Sequence, residues 1–343
     1  MANTLPSVIA TALKNISSTS EESYEAVKRE WLNKTKPPES LGVLENIVCK
    51  LGAIQRSSEI NIDPAHLIVF AGSHGITEEG VSAFPPEVNS QMFANFNTGG
   101  AAINVLCKHH GIHFKAIDAG IDKPTSNFAK KPAMTETELS KALLLGWNAV
   151  PQNAQLIAFG EMGIGNTTSA TTIAALLCDC TPDQITGHGT GINEDQRNHK
   201  INVIQNAINL HKEYIKSPLD LLQHVGGKEL AAITGAMIRC ASEGIGIFID
   251  GVICTAAAAI AFELNPKIVE YTFASHLSVE AAHKKLLDKY TLSPLLSLDM
   301  RLGEGSGAAM GIGIAQAAIK LYQNMATFQS AGISGKSDGS VQS

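Results

Sequence analysis

Five short apolar runs punctuate the chain, at residues 66–71, 113–119, 155–160, 246–251 and 268–274. Each is rich in Ile, Val, Phe or Ala. Most of them close on glycine, serine or an acid. Runs of that length bounded by turn residues predict buried strands. Between them lie segments with helical spacing, at 41–55, 87–96, 101–110, 135–149, 166–177, 195–212, 218–224, 229–243, 256–264 and 279–289. Thr135 followed by Glu138 has the spacing of a capping box. Strand, polar loop and helix therefore repeat about five times. This predicts an α/β fold: a doubly wound, mostly parallel sheet with helices on both faces. Residues 5–32 and the stretch after Glu304 also read as helical. They predict a small helical domain built from both chain ends, 1–60 with 305–328, beside a large α/β domain, 61–304. The Gly/Ser-rich stretch 329–343 predicts a flexible tail.

Composition narrows the class. Of 343 residues, 44% are apolar but only 5% aromatic, so the core is mostly Ala, Ile, Leu and Val. The net charge of −6, with no basic run, argues against nucleic acid as a partner. The longest apolar run, 252–262, is too short to span a bilayer. Residues 1–16 lack the pattern of a secretory leader. The six cysteines include no CxxC pair and read as buried thiols of a reducing compartment. The expectation is a cytoplasmic protein without membrane contact.

The chemistry collects where the apolar runs end. Gly72-Ser73-His74-Gly75 follows the first run. Glu161-Met162-Gly163-Ile164-Gly165-Asn166-Thr167-Thr168 follows the third and opens a helix. Glycines and hydroxyls between a strand and a helix suit a phosphate, yet neither the P-loop nor the dinucleotide fingerprint is present. Gly187-His188-Gly189-Thr190-Gly191-Ile192-Asn193 is another loop of ligand type. Lys36, between the helices of 5–32 and 41–55, follows a helix stop and precedes two prolines, and stands either in a connector or facing a site. In Leu302-Gly303-Glu304-Gly305-Ser306-Gly307 one carboxylate sits among three glycines before a small-residue helix. Glu304 is either a base held beside a ligand or a helix-start acid favoured by the dipole.

Taken in order, these strings resemble one family. They are Lys36-Pro37-Pro38-x-Ser40-Leu41-Gly42, His74-Gly75-x-x-x-Glu79-Gly80-Val81, Gly160 to Thr168, Asp250-Gly251, Ser275-His276-x-Ser278 and Arg301 to Gly307. The chain resembles nicotinate-nucleotide:dimethylbenzimidazole phosphoribosyltransferases, which activate the lower ligand of cobamides, over roughly residues 20–325. The resemblance implies a dimer, and transfer of 5-phosphoribosyl from nicotinate mononucleotide to a base, with no metal and no cofactor. It implies Glu304 as general base and Glu161 as the second catalytic carboxylate. Gly163, Gly165, Asn166, Thr167, Ser278 and Gly303 would hold the nucleotide, and Lys200, from the same or the partner subunit, its phosphate. Phe84, Met92, Met162 and Leu302 would line the acceptor pocket.

Two departures bear on the acceptor. Phe84 and Met92 stand where relatives carry a Ser and a Gln, and Met162 replaces a Leu. An apolar, adaptable wall suits phenol or p-cresol better than a benzimidazole with a second nitrogen to satisfy. The phenol-accepting branch works as two unlike homologous subunits, so the expected partner is a second copy or a homologue. The loop 118–133 is also shorter than in the family.

Overall fold

The computed structural model describes residues 5–187, 191 and 193–334. Of the loop at 187–193, His188, Gly189, Thr190 and Ile192 lie outside the described residues, as does the tail beyond 334.

Five strands make one parallel sheet: β1 (Ala65–Ala71), β2 (His113–Asp118), β3 (Leu156–Met162), β4 (Gly246–Ile249) and β5 (Thr272–Ala274). Their spatial order is β2-β1-β3-β4-β5. All of β3 but its last residue and all of β4 are buried, which is why these strands are continuous apolar runs without alternation. A second, two-stranded parallel sheet joins β6 (His276–Leu277) to β7 (Leu296–Ser297). The chain leaves β1 for β2 on one side, then returns to place β3 on the other. The order therefore reverses between β1 and β3, and ligands of open α/β sheets bind outside the carboxyl ends at such a point.

The helices in chain order are α1 (Ser7–Asn15), α2 (Glu21–Leu32), α3 (Val43–Gln55), α4 (Val88–Thr98), α5 (Ala102–His110), α6 (Glu136–Ala149), α7 (Asn166–Cys178) and α8 (Pro182–Ile185). There follow α9 (Glu194–His211), α10 (Pro218–Val225), α11 (Lys228–Glu243), α12 (Val252–Leu264), α13 (Ala281–Lys289), α14 (Ser306–Asn324) and α15 (Phe328–Ala331). Thr135 caps α6 as its spacing predicts: its Oγ1 accepts from Glu138 N at 3.2 Å and Glu138 returns a bond to Thr135 N at 2.9 Å. Among the described residues, no helix is long and apolar enough to cross a membrane.

Several boundaries differ from expectation. The stretch 5–32 is two helices, because Ser20 caps a new start by accepting from Ser23 N. α3 starts at Val43, two residues later than its spacing predicts, with Gly42 at its N-cap. The expected fifth strand is mostly a 3-10 turn, Pro266–Tyr271, opened by Asn265 accepting from Lys267 N. Pro266 suits that first helical position and not a strand interior. α12 begins four residues early, directly after Gly251, which brings Val252 and Ile253 to the site. Within the expected tail, Phe328–Ala331 forms a short capped helix.

The chain divides into two compact units. The larger comprises the described residues to Ser18 together with Ile62–Ile312, the smaller Thr19–Asn61 together with the described residues from Gly313. α1 thus falls in the larger unit, and the division cuts α14. In the smaller unit Trp31 packs against Tyr322, ring centroids 5.2 Å apart, and the Tyr322 hydroxyl donates to Glu30. Lys36 is buried there, 2.7 Å from Glu45 and over the Trp31 ring, so it serves that packing. The larger unit holds Trp147 on α6, with the Arg239 guanidinium 5.9 Å from its ring.

α6 and α11 touch backbone to backbone. A Cβ on Gly146 would lie 1.6 Å from Ala232 O, and one on Gly235 would lie 2.1 Å from Leu143 O. Gly146→Ala must push the helices apart and should cost about 3 kcal/mol or more. Urea unfolding tests this: the midpoint should fall with little change in slope.

Candidate active site

A pocket of about 220 Å³ opens where the sheet order reverses. β3 delivers Glu161 and Met162 at its carboxyl end, and Gly163 and Ile164 continue from it. α4 contributes Val88 and Met92, preceded by Phe84; the start of α7 contributes Asn166 and Thr167. Gly251, Val252 and Ile253 come from the start of α12, His276 from β6, and Ser278 and Glu280 from the segment after it. Arg301, Leu302, Gly303 and Glu304 close the wall. Phe84 and Leu302 are half exposed, at 47% and 54%, while Glu161 and Glu304 are buried, so the apolar side chains form the rim and the acids the floor.

The turn carrying Glu304 is held in an unusual backbone. Gly303, Glu304 and Gly305 have φ of +85°, +63° and +83°. For the glycines that conformation is free; for Glu304 it costs of order 1 kcal/mol. Asp250, beyond the end of β4, accepts from Gly305 N at 3.1 Å through one carboxylate oxygen and from Ala308 N at 3.0 Å through the other. It thereby satisfies two free amides at the start of α14 and fixes the turn. The 304–305 backbone also lies directly on Gly160, where a Cβ would come within 2.5 Å of the Glu304 carbonyl. Glu304 is thus not the dipole-favoured acid of a helix start; Asp250 fills that place. Glu304 Oε2 is buried and has no hydrogen-bond partner.

Four carboxylates meet in or under this floor: Glu161, Glu229, Asp250 and Glu304. Burial pushes Glu161 up to about 8, and the charges of Asp250 and Glu229 add to the effect while its bond from Asn166 Nδ2 opposes it. Burial also raises Glu304, with Asp250 adding to it. Glu161 therefore has a neutral form accessible near neutral pH. Glu229, in the first turn of α11, is wholly buried, and its Oε1 lies 2.5 Å from His74 Nε2. Glu229 is a site neighbour that the sequence did not reveal. An acid in the first turn of an apolar helix is indistinguishable there from an ordinary dipole-favoured residue. The glycines before it, Gly226 and Gly227, were the only signal.

The start of α7 forms another side of the pocket. Gly165, with φ +94°, precedes it, and Asn166 and Thr167 of its first turn line the pocket. Lys200 of α9 is buried in its own chain and donates to Thr167 Oγ1 at 2.8 Å. Burial lowers its ammonium to about 8, with Glu280 opposing. Ser278 is fixed by His283, whose Nδ1 accepts from Ser278 N at 3.1 Å and lies 3.0 Å from its hydroxyl. The remaining His283 nitrogen then donates to Thr255 Oγ1 at 3.0 Å, and burial keeps the ring neutral, its pKa pushed down to about 3.

Of the residues singled out in the sequence, Phe84, Met92, Glu161, Met162, Gly163, Asn166, Thr167, Ser278, Leu302, Gly303 and Glu304 share this one pocket. Gly165 and Lys200 stand behind it, at the cap of α7 and on Thr167. Among the described residues no cluster of three or more His, Cys, Asp or Glu has the arrangement of a metal site.

Comparison with known proteins agrees with this geometry. A family model described as phosphoribosyltransferase matches residues 16–333. A protein of Citrifermentans bemidjiense named nicotinate-nucleotide–dimethylbenzimidazole phosphoribosyltransferase is 39% identical over 95% of this chain and 99% of its own. One of the same name from Geotalea uraniireducens is 43% identical, over 88% and 91%. The crystal structure of CobT from Thermus thermophilus superposes with a TM-score of 0.87 at 36% identity, covering 92% of this chain and 100% of that one. The chain belongs to this phosphoribosyltransferase family. It is a transferase, and the parallel sheet flanked by helices is the family's fold.

Two measurements probe the floor. Asp250→Ala removes both bonds to α14 and should cost about 1–2 kcal/mol in chemical denaturation. Glu161 binds its proton more tightly folded than unfolded, so the fold loses stability as pH rises from about 4.5 to about 8. Glu161→Gln removes that loss: relative to wild type it should gain roughly 3–4 kcal/mol between pH 5 and pH 8, each tenfold in proton affinity being about 1.4 kcal/mol.

Proposed function

We propose that the protein transfers the 5-phosphoribosyl group of nicotinate mononucleotide to a cobamide lower-ligand acceptor, with Glu304 as general base. The observation that carries this is one buried carboxylate oxygen, Glu304 Oε2, without a partner, beside an apolar wall of Phe84, Val88, Met92, Met162 and Leu302. An aromatic acceptor fits the wall, and its proton fits the free oxygen. The C1′–N bond of the donor breaks with its electron pair going to the pyridinium nitrogen, so nicotinate departs without needing an acid. The acceptor oxygen or nitrogen bonds to C1′ and its proton passes to Glu304. Charge on the oxocarbenium-like carbon is stabilised by the floor carboxylates. Lys200, Thr167, the start of α7 and Ser278 would receive the phosphate. The enclosed apolar wall disfavours water as a competing nucleophile.

For the acceptor we favour phenol or p-cresol. Phe84 and Met92 offer no hydrogen bond to a second ring nitrogen, whereas a phenol has none to satisfy. A phenol ionises near pH 10, so Glu304 would assist the attack rather than deprotonate beforehand; a raised carboxyl is better matched to that task. The second reading is transfer to 5,6-dimethylbenzimidazole, favoured by the names of the relatives. The active form we propose is a dimer, with itself or with a homologous subunit.

Purified protein incubated with nicotinate mononucleotide and each acceptor in turn tests both readings. Consumption of phenol and p-cresol is expected; rapid use of benzimidazoles with no ribosylation of phenols would reverse the acceptor assignment. Glu304→Gln should lower turnover ~10²-fold or more. Unchanged turnover would mean that catalysis resides in a partner subunit.

A further inference from the structure

The residues lining the pocket include three acids, Glu161, Glu280 and Glu304, but only one permanently cationic side chain, Arg301. Its neighbours are fixed: Met300 O accepts from Val279 N at 3.3 Å on one side, and on the other the left-handed turn begins at Gly303. Its guanidinium is exposed and makes no hydrogen bond or ion pair among the described residues. Other cations near strand ends are engaged. Lys200 is on Thr167, Lys130 pairs with Glu78 and Lys228 with Glu138. An uncommitted arginine beside buried acids is placed to receive an anion that arrives with a ligand.

The inference rests on the donor reading above. Nicotinate mononucleotide carries two anionic groups, a phosphate on the ribose and a carboxylate on the pyridine ring. Lys200, Thr167 and the start of α7 supply the phosphate's needs. The ring carboxylate would otherwise face a pocket lined by three acids. We propose that Arg301 pairs with that carboxylate and makes the enzyme select nicotinate over nicotinamide donors.

The pairing strengthens as the reaction proceeds. Before transfer the base is a pyridinium carboxylate of net charge zero. When the C1′–N bond breaks, its electron pair neutralises the ring nitrogen and the departing group becomes an anion of net charge −1. A guanidinium beside it then attracts more strongly than at the start, so the interaction lowers the barrier as well as binding the donor. A nicotinamide donor ends as a neutral molecule and gains nothing from the arginine.

The test compares kcat and KM for nicotinate mononucleotide and nicotinamide mononucleotide, with one acceptor, in wild type, Arg301→Ala and Arg301→Lys. Arg301 is exposed, so both variants should keep the wild-type unfolding midpoint. The proposal expects Arg301→Ala to lose about 10-fold or more in kcat/KM with the acid donor, partly through kcat, and less than about threefold with the amide, a tenfold change being about 1.4 kcal/mol. Arg301→Lys should recover part of the preference. Parallel losses with both donors would assign Arg301 to the phosphate or to the fold, and unchanged kinetics would leave it a solvated side chain; either overturns the proposal. Transfer from neither donor by wild type would instead remove the donor reading itself.

Discussion

The paired hydrogen bonds from Asp250 to Gly305 N and Ala308 N are the constraint on which the site depends. They join the end of β4 to the start of α14 and hold three successive residues in left-handed backbone. Without them Glu304 would relax toward an ordinary turn and lose its place over β3. Gly160 completes the arrangement by letting the 304–305 backbone lie on the strand. The geometry of one side chain is thus set by a carboxylate and a missing Cβ on two other elements, 54 and more residues away in sequence in the case of Asp250.

That same carboxylate shapes the electrostatics. Asp250 uses both oxygens on amides, while its charge raises Glu161 and Glu304. Burying so many acids opposes folding, because each would rather be hydrated. The fold offsets this locally: Asn166 on Glu161, His74 on Glu229, and the dipole of α14 on Asp250. Glu304 keeps one oxygen unsatisfied in the pocket, as Glu229 does beneath it. Local departures from stability of this kind are expected where a protein does chemistry.

Much of this was legible in the sequence because parallel strands buried on both faces are short apolar runs, and because glycines mark where backbone must pass close. The strands at 66–71 and 155–160 and the loops after them could be read directly. What could not be read has physical reasons. Ile268 and Val269 are apolar, yet Pro266 and the Asn265 cap turn them into a 3-10 segment. Lys36 looked poised beside two prolines, but its partner Glu45 lies in the first turn of α3 and its covering ring, Trp31, near the end of α2. Glu229 and His74 look ordinary apart and become a pair only when α11 is brought under β1 and β3. Lys200 joins Thr167 across 33 residues, a contact that no local pattern encodes.

The low aromatic content leaves just two tryptophans, and they fall one to each compact unit. Trp31 is buried beneath Lys36 and Tyr322; Trp147 sits on α6 near the Arg239 guanidinium. Their surroundings differ in polarity and in nearby charge, so their emission should differ in wavelength and quenching. Replacing either by phenylalanine would leave a protein whose intrinsic fluorescence follows a single unit. The chain thereby carries its own pair of optical reporters, able to distinguish an event at the transferase pocket's unit from one in the helical unit without any added label.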